Sequence, residues 1–372
     1  MRPDRRRWIL GALCAPWVLS STACSPRTPA MTPEEAHLVH KLTARMRTRC
    51  IGRHLIDLPE AFELNPVDRV EIEGVEVSIR PLPRPVFDYQ LERRTEALRN
   101  EVVGIEKIPS LMDVRDVPEG VGKIFNRADN YAFARVWELM VWQNGFLINA
   151  SVKAFDYSLD KPLGNEPTDS SDVEEKYTHL LNVYRRVRGR RDEEIPSEPG
   201  DCFAHGLWTG AQAEAAEFYV NYHLKDAPDV FLQVSSISGD GNVPRPDTGL
   251  MQRRSQIERD SRRSGIDILR FSARAIGNDG YEEYVCREPA KVTSARVPGH
   301  TAIVQTDQSL QGFERPFLTI EFYNGHYIPS PPRSLEEKAK IPDLTRATLS
   351  EGQVLALWDA ITATLRPRPG AL

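Results

Sequence analysis

The stretch "WELMVWQNGFLINASV", Trp137–Val152, is where the fold is decided. Two runs of strand-forming residues flank Asn144-Gly145. Asn-Gly is the preferred pair for a two-residue type I′ turn, because both central residues need positive φ. The stretch therefore predicts an antiparallel hairpin. Trp137 and Trp142 stand five apart, so on an extended strand they point to opposite faces. Core packing is the first expectation for such rings, and an exposed tryptophan at an interface is the second.

Outward from there, the same plan occurs twice. "FLTIEFYNGHYI" (Phe317–Ile328) is a second strand run with an Asn-Gly pair, Asn324-Gly325. Upstream of each run lies a pair of alternating segments. In the first, Val70 and Ile72 precede Gly74, and Val75, Val77 and Ile79 resume in the other phase. In the second, Phe218, Val220, Tyr222 and Leu224 lead into Asp226–Asp229, and Val230, Leu232 and Val234 return. Period-two alternation reads as half-buried antiparallel strands. A charged helical stretch follows each pair, Asp88–Val103 and Leu250–Gly265. Each half closes on an amphipathic helix. The capping boxes Ser171-Asp-Val-Glu174 and Ser350-Glu-Gly-Gln353 announce them. Each half also opens at a cysteine, Cys50 or Cys202. The expected fold is α+β: two similar domains, each an antiparallel sheet with flanking helices, arising by structural duplication. The best boundary is "RRVRGRRDEEIPSEPGD", Arg185–Asp201, charged and then rich in Pro, Ser and Gly. Domains over 49–193 and 194–368 follow, after a segment 24–48 whose helix opens at Thr32-Pro33-Glu34-Glu35.

The first thirty residues, "MRPDRRRWILGALCAPWVLSSTACSPRTPA", combine a basic start, an apolar run and small residues. That is the layout of a secretory signal peptide over 1–23, too short to span a bilayer as a helix. Ser21-Thr22-Ala23-Cys24 resembles a lipoprotein cleavage box, with Cys24 the lipidated residue. Ser21 stands where an aliphatic residue is usual. "RRRWIL" also resembles a twin-arginine signal. Removing 1–23 takes away four Arg and one Asp, so the charge goes from 48 − 53 = −5 to 44 − 52 = −8. An acidic chain does not suit nucleic acid or anionic lipid. Membrane contact would come only through a lipid on Cys24.

An exported chain meets oxidising conditions, where well-placed cysteines pair. Cys50, Cys202 and Cys286 allow three pairings, which the sequence does not choose among; Cys50–Cys202 with Cys286 free is the favoured one. Cys50 with His54 and Cys202 with His205 could form a Cys2His2 zinc site, a weaker reading in this compartment. His37 and His40 share a helix face without a further ligand, and His223 falls in the outward phase of its strand. There is no G-x-S-x-G, H-E-x-x-H or G-x-x-x-x-G-K-[ST] pattern. Ser158-Leu-Asp-Lys161 fits S-x-x-K, but Pro162 follows at once and no K-T-G accompanies it. No catalytic, cofactor-binding or metal residue is assigned, and a binding protein is favoured over an enzyme.

Three stretches carry a resemblance: "CIGRHLIDLPEAFEL" from Cys50, "PGDCFAHG" from Pro199, and "GYEEYVCREP" from Gly280. They resemble bacterial immunity proteins that neutralise phospholipase effectors delivered by type VI secretion. The likeness covers Cys50 to about Arg190 and Pro199 to the last helix. It departs at Phe203-Ala204-His205. The resemblance implies a periplasmic protein, often membrane-anchored, that binds a lipase and blocks its active site or lid. The partner expected is therefore a cognate phospholipase effector, met by a monomer. The rivals are an envelope hydrolase using His223 or His205, and a structural lipoprotein without an inhibitory target.

Overall fold

The computed structural model describes residues 29–65, 69–105, 107–157, 171–239, 249–277, 279–292, 295–307, 316–326 and 344–371. The leader 1–23, Cys24 and Ser158–Lys161 lie outside the described residues. Helix α1 (Pro33–Thr43) opens on the expected capping box, Thr32 with Glu35. The first unit then runs β1 (Met46–Ile51), β2 (His54–Pro59), β3 (Phe62–Leu64), β4 (Arg69–Ile72), β5 (Val75–Pro81) and α2 (Arg84–Asn100). It continues through β6 (Val102–Val103), β7 (Ile108–Pro109), β8 (Leu111–Asp116), β9 (Val121–Asp129), β10 (Tyr131–Gln143), β11 (Phe146–Phe155), α3 (Val173–Arg185) and β12 (Val187–Gly189). The second unit has β13 (Gly200–Phe203), β14 (Gly206–Thr209), β15 (Ala216–Leu224), β16 (Ala227–Ser238) and α4 (Arg254–Ser264). After these come β17 (Asp267–Ile276), β18 (Asp279–Val292), β19 (Ala295–Thr306), β20 (Phe317–Asn324), α5 (Glu351–Thr362) and β21 (Arg366–Pro367).

The opening hairpin forms as read. Gln143 pairs with Phe146 across Asn144 (φ 51°) and Gly145 (φ 90°). Trp137 is buried on one face and donates from Nε1 to the Val173 carbonyl at 2.7 Å. Trp142 lies on the other, half-buried, with Nε1 on the Leu82 carbonyl at 2.8 Å and Arg84 over its ring. Both rings are used in packing.

The duplication is visible in the strand order. In the first unit it is β4-β5-β11-β10-β9-β8, and in the second β15-β16-β20-β19-β18-β17. Each unit is thus a hairpin whose second strand takes up the last strand of a four-stranded meander. The units join where β4 pairs antiparallel with β15, and β3 also pairs with β15, so one 13-stranded antiparallel sheet runs through both. Both outermost strands, β8 and β17, carry a register irregularity near their start, at Leu111/Asp113 and Ile268/Arg270. Bulged, charged edge strands resist adding another strand.

The small strands exchange partners between the units. β12, at the end of the first unit, pairs with β14 of the second; β21, at the end of the second, pairs with β2 of the first. The exchange extends to the cores. Ile51, Ile56, Leu58 and Phe62 pack with α5 and the second unit's strands. Phe203, Trp208 and Phe218 pack with α3 and the first unit's strands. The apolar phase of each strand run is satisfied, but partly by the other half of the chain.

Two expectations are corrected. The box at Ser171 does not form: Asp172 is the N-cap of α3 without a side-chain cap bond, and its carboxylate accepts from the Phe155 N–H at 2.5 Å. Glu174 is drawn instead to the Arg115 guanidinium, at 2.6 and 2.9 Å. The box at Ser350 forms as read. The boundary stretch Arg185–Asp201 carries buried charges, Arg190, Asp192 and Asp201. Asn324-Gly325 does not turn a hairpin on β20, because β16 and β19 already occupy both its edges up to Asn324. The Asn324 side chain is buried: it accepts from the Leu349 N–H (3.0 Å), donates to the Leu349 carbonyl (2.9 Å), and meets His300 Nδ1 at 3.1 Å.

His300 has a measurable consequence. Burial first, then Arg287 and His326, push its pKa down to about 4. Glu351 also faces it, 3.8 Å from Nε2. The folded state keeps the ring neutral, whereas the unfolded chain takes a proton near the ordinary value of about 6.5. Stability is therefore full above that value and falls as pH drops towards 4, by about 3 kcal/mol from this group. Urea unfolding of the wild type at pH 7 and pH 4.5, against His300→Gln, should show the variant losing much less on acidification.

Candidate binding surface

Strand alternation divides the large sheet into a covered and an open face. α3 and α5 lie on the covered face, over Trp137, Leu139 and Val141 in one unit and Ile320 and Phe322 in the other. Among the described residues, each unit places only its other helix on the opposite face. α2 sits through Phe87 and Leu98 on Phe125, Met140 and Leu147. α4 lies beside β17 and β18, with Ser261 Oγ 3.3 Å from Tyr284 Oη. Among the described residues, the floor between these helices is polar.

The registers order that floor into rows. One row runs Glu138, Ser151, Glu76, Glu71, Glu217 across five neighbouring strands. The next runs Tyr219, Ser235, Thr319, Gln305, Glu282. Like charges directly across strands are unfavourable unless solvated or paired. Glu138 is paired: Arg94 of α2 grips it with bonds of 2.7 and 2.6 Å, and Arg127 of β9 adds one at 3.1 Å. Burial alone would raise its pKa, but these two guanidiniums hold it below the ordinary value. Glu282, at the other end, accepts from the Leu250 and Met251 N–H groups ahead of α4, at 2.6 and 3.1 Å. A cleft of about 540 Å³ opens between α2 and the first row, bordered by Glu76, Ser78, Arg94, Arg127, Glu138 and Asn149. Fixed charges and side-chain amides at such a floor suit hydrogen bonding to another protein.

The residues singled out in the sequence fall elsewhere. Cys50 and Cys202 are disulfide-bonded and fully buried, beneath the reciprocal bonds Gly52 N to Cys202 O (2.7 Å) and Cys202 N to Gly52 O (2.8 Å). Cys286 is a buried free thiol whose pKa burial raises to about 11. His205 takes φ 53° in the β13–β14 turn, and its carbonyl accepts from the Arg190 N–H at 2.8 Å. Burial lowers the His205 pKa, opposed by Asp192. His223 lies half-buried on the polar face, opposite Phe231. His37 and His40 are exposed on α1. Among the described residues no three His, Cys, Asp or Glu side chains gather as a metal site. None of their helices is long and apolar enough to cross a membrane. The acidic row went unread in the sequence. Glu71, Glu76, Glu138 and Glu217 occupy the polar phase of four separate strands, and only the pairing order makes them neighbours.

Fold and surface together define a duplicated α+β protein that presents one broad, polar sheet face between two helices. The chain belongs to the Tle cognate immunity protein 4 family: the model of its N-terminal domain matches residues 47–190 and that of its C-terminal domain residues 194–370. Among solved structures, the apo immunity protein TplEi of T6SS from Pseudomonas aeruginosa is similar, with 19% identity and a TM-score of 0.61 over 87% of this chain and 97% of that one. The Tle4–Tli4 complex gives 19% identity and a TM-score of 0.63 over 88% and 99%. TplEi bound to an "L" peptide gives 18% and 0.58 over 88% and 99%. At these identities the likeness is one of fold. No curated protein matches the chain.

Proposed function

We propose that this chain is a non-enzymatic immunity protein that binds a type VI phospholipase effector and holds it inactive in the periplasm. The observation that carries the reading is the pair of family models, which together account for 47–190 and 194–370. Blocking an enzyme needs no reacting group on the blocker. It needs a broad, pre-organised surface with a few desolvated anchors. The shared sheet and the crossed cores support such rigidity. The reading includes a leader over 1–23, a lipid on Cys24 as the only membrane attachment, domains over 49–193 and 194–368, and a monomer before complex formation. The Cys50–Cys202 disulfide suits an oxidising compartment.

The test is protection. The phospholipase effector from the same genome, directed to the periplasm, should arrest growth, and co-expression of the full chain should restore it. Purified mature protein should abolish phospholipid hydrolysis at about one equivalent. A chain that neither restores growth nor slows hydrolysis would remove the proposal. Hydrolysis of phospholipid or peptidoglycan fragments by the chain itself, lost in His223→Ala or His205→Ala, would favour the hydrolase reading.

A further inference from the structure

The N-terminal segment precedes the first unit in the chain but is seated on the second. A Cβ on Gly352 of α5 would stand 3.0 Å from the Pro29 carbonyl oxygen and 2.7 Å from Met31 Cγ, so residues 29–31 lie against the start of α5. Gln353 Nε2 donates to the Glu35 carbonyl of α1 at 3.3 Å. Leu42 of α1, and Met46 after it, pack on the core that α5 forms with the second unit's strands. No residue of α1 is fully buried, so it lies on α5 as an outer layer. On the side away from α5, His37, His40, Lys41 and Ala44 are exposed.

The layers therefore stack in the order α1, α5, the large sheet, and then α2 and α4 on the polar face. Packed layers stand about 10 Å apart, so the axis of α5 is about 20 Å from the level of α2 and α4, whose own radius adds about 5 Å. Pro29 touches α5, and Cys24 is five residues before it. Five residues of fully extended chain span at most about 18 Å. A lipid on Cys24 reaches headgroups on the α1 side of the molecule. The same tether is too short to let the molecule lie with its polar face on them.

We infer that the lipid on Cys24 holds α1 and the covered face of the second unit next to the bilayer, and that the polar floor between α2 and α4 is turned away from it. This rests on the lipid in the proposed function. The α1 side then has a lipid surface as its neighbour, and the floor is left free for protein. The orientation serves inhibition. A phospholipase acts at the bilayer, so its blocker must work close by, and a binding floor pressed on headgroups would be closed to the effector. An anchor on the far side of the sheet from that floor meets both needs.

The experiment places the full mature chain, purified from membranes, in vesicles of phosphatidylethanolamine and phosphatidylglycerol that carry a nitroxide-headgroup lipid. A fluorophore is attached through His37→Cys or Lys41→Cys on α1, Tyr89→Cys on α2, or Arg259→Cys on α4, all exposed positions. Cys286 is buried with a raised thiol pKa, so it stays unlabelled. The α1 labels should be strongly quenched and the α2 and α4 labels nearly unquenched. Inserting about twelve Gly and Ser residues after Thr28 lengthens the tether by about 20 Å on average and should remove most of the α1 quenching. The mass of the mature chain reads the lipid separately. If no lipid is present, the anchor in the proposed function fails and the orientation with it. If the lipid is present and the α2 or α4 labels are quenched as strongly as those on α1, the orientation alone fails. Quenching on α1 that survives the longer tether would show the helix holding headgroups by itself and would overturn the tether's role. If His37→Cys unfolds, Lys41→Cys decides.

Discussion

Replacing Arg190 with methionine should cost about 3–5 kcal/mol of folding stability, the range for breaking a buried charged network. Arg190 is 1% exposed. Its Nε donates to the Gly206 carbonyl at 3.0 Å, and Nη2 donates to Cys50 (2.9 Å) and Phe203 (3.1 Å). Nη1 takes the carbonyls of Arg191, Asp192 and Glu194, at 3.0 to 3.1 Å. One planar guanidinium thus gathers carbonyls from the first unit's opening strand, the second unit's opening hairpin and the segment between the units. Asp192 supplies counter-charge, and is itself held by Arg49 at 3.1 Å and the Tyr222 hydroxyl at 2.9 Å. Methionine fills part of the volume but leaves these carbonyls without their donor, and Asp192, still held by Arg49 and Tyr222, without part of its counter-charge. Lysine should also fail, since three donors on a point charge cannot reproduce the fork. Equilibrium urea unfolding, read by tryptophan fluorescence, measures the loss. A change under 1 kcal/mol for methionine would show that water or neighbouring groups replace the guanidinium.

The duplicate position extends the point. Arg368 follows β21 as Arg190 follows β12. Its backbone N–H donates to Arg53 in the β1–β2 turn, as that of Arg190 donates to His205 in the β13–β14 turn. Its guanidinium takes the carbonyls of Pro196, Glu198 and Gly200 at 2.6 to 2.8 Å. Each unit ends in an arginine that closes on the other unit's opening hairpin.

Removing the disulfide should be the other large effect. Cys50 and Cys202 are 152 residues apart in sequence, and the chain-entropy model assigns closure of so long a loop about 5 kcal/mol. Cys50→Ala with Cys202→Ala should lower stability by about 3–5 kcal/mol, and reduction of the wild type by a similar amount. The main competitor for re-pairing, Cys286, is buried with a raised thiol pKa, so exchange through it is suppressed. Denaturation with and without dithiothreitol measures the loss. Equal stabilities would mean that the Gly52–Cys202 backbone pair and Arg190 hold the junction alone. For an immunity protein the loss would be functional as well, because a junction free to move gives up part of its pre-organisation.

The disulfide was favoured in the sequence from the oxidising compartment, and the structure contains it. The Asn144-Gly145 hairpin was legible because its signal is local: two residues of positive φ between two alternating runs. Asn324-Gly325 carries the same dipeptide and turns no hairpin on β20, because non-local strands hold both edges of that strand. Ser171 and Ser350 diverge for a similar reason. The second box meets no stronger partner, whereas Arg115 takes Glu174 and Phe155 takes Asp172 in the first. Arg190 lies in a run of charges, and nothing local in the sequence marks the six carbonyls that converge on it.

What the sequence determined by itself is the repeated order of hairpin, helix, meander and helix, the placement of cysteines at matching points, and the apolar phase of each strand. Those are properties of neighbouring residues, set by side-chain period and turn stereochemistry. Only the tertiary structure decided that the two sheets would join at β4 and β15, that each unit's last strand would close on the other's first hairpin, and that four scattered glutamates would line one floor. Such pairings depend on which edges remain open once the local pieces have formed, and an open edge leaves no mark in the order of residues.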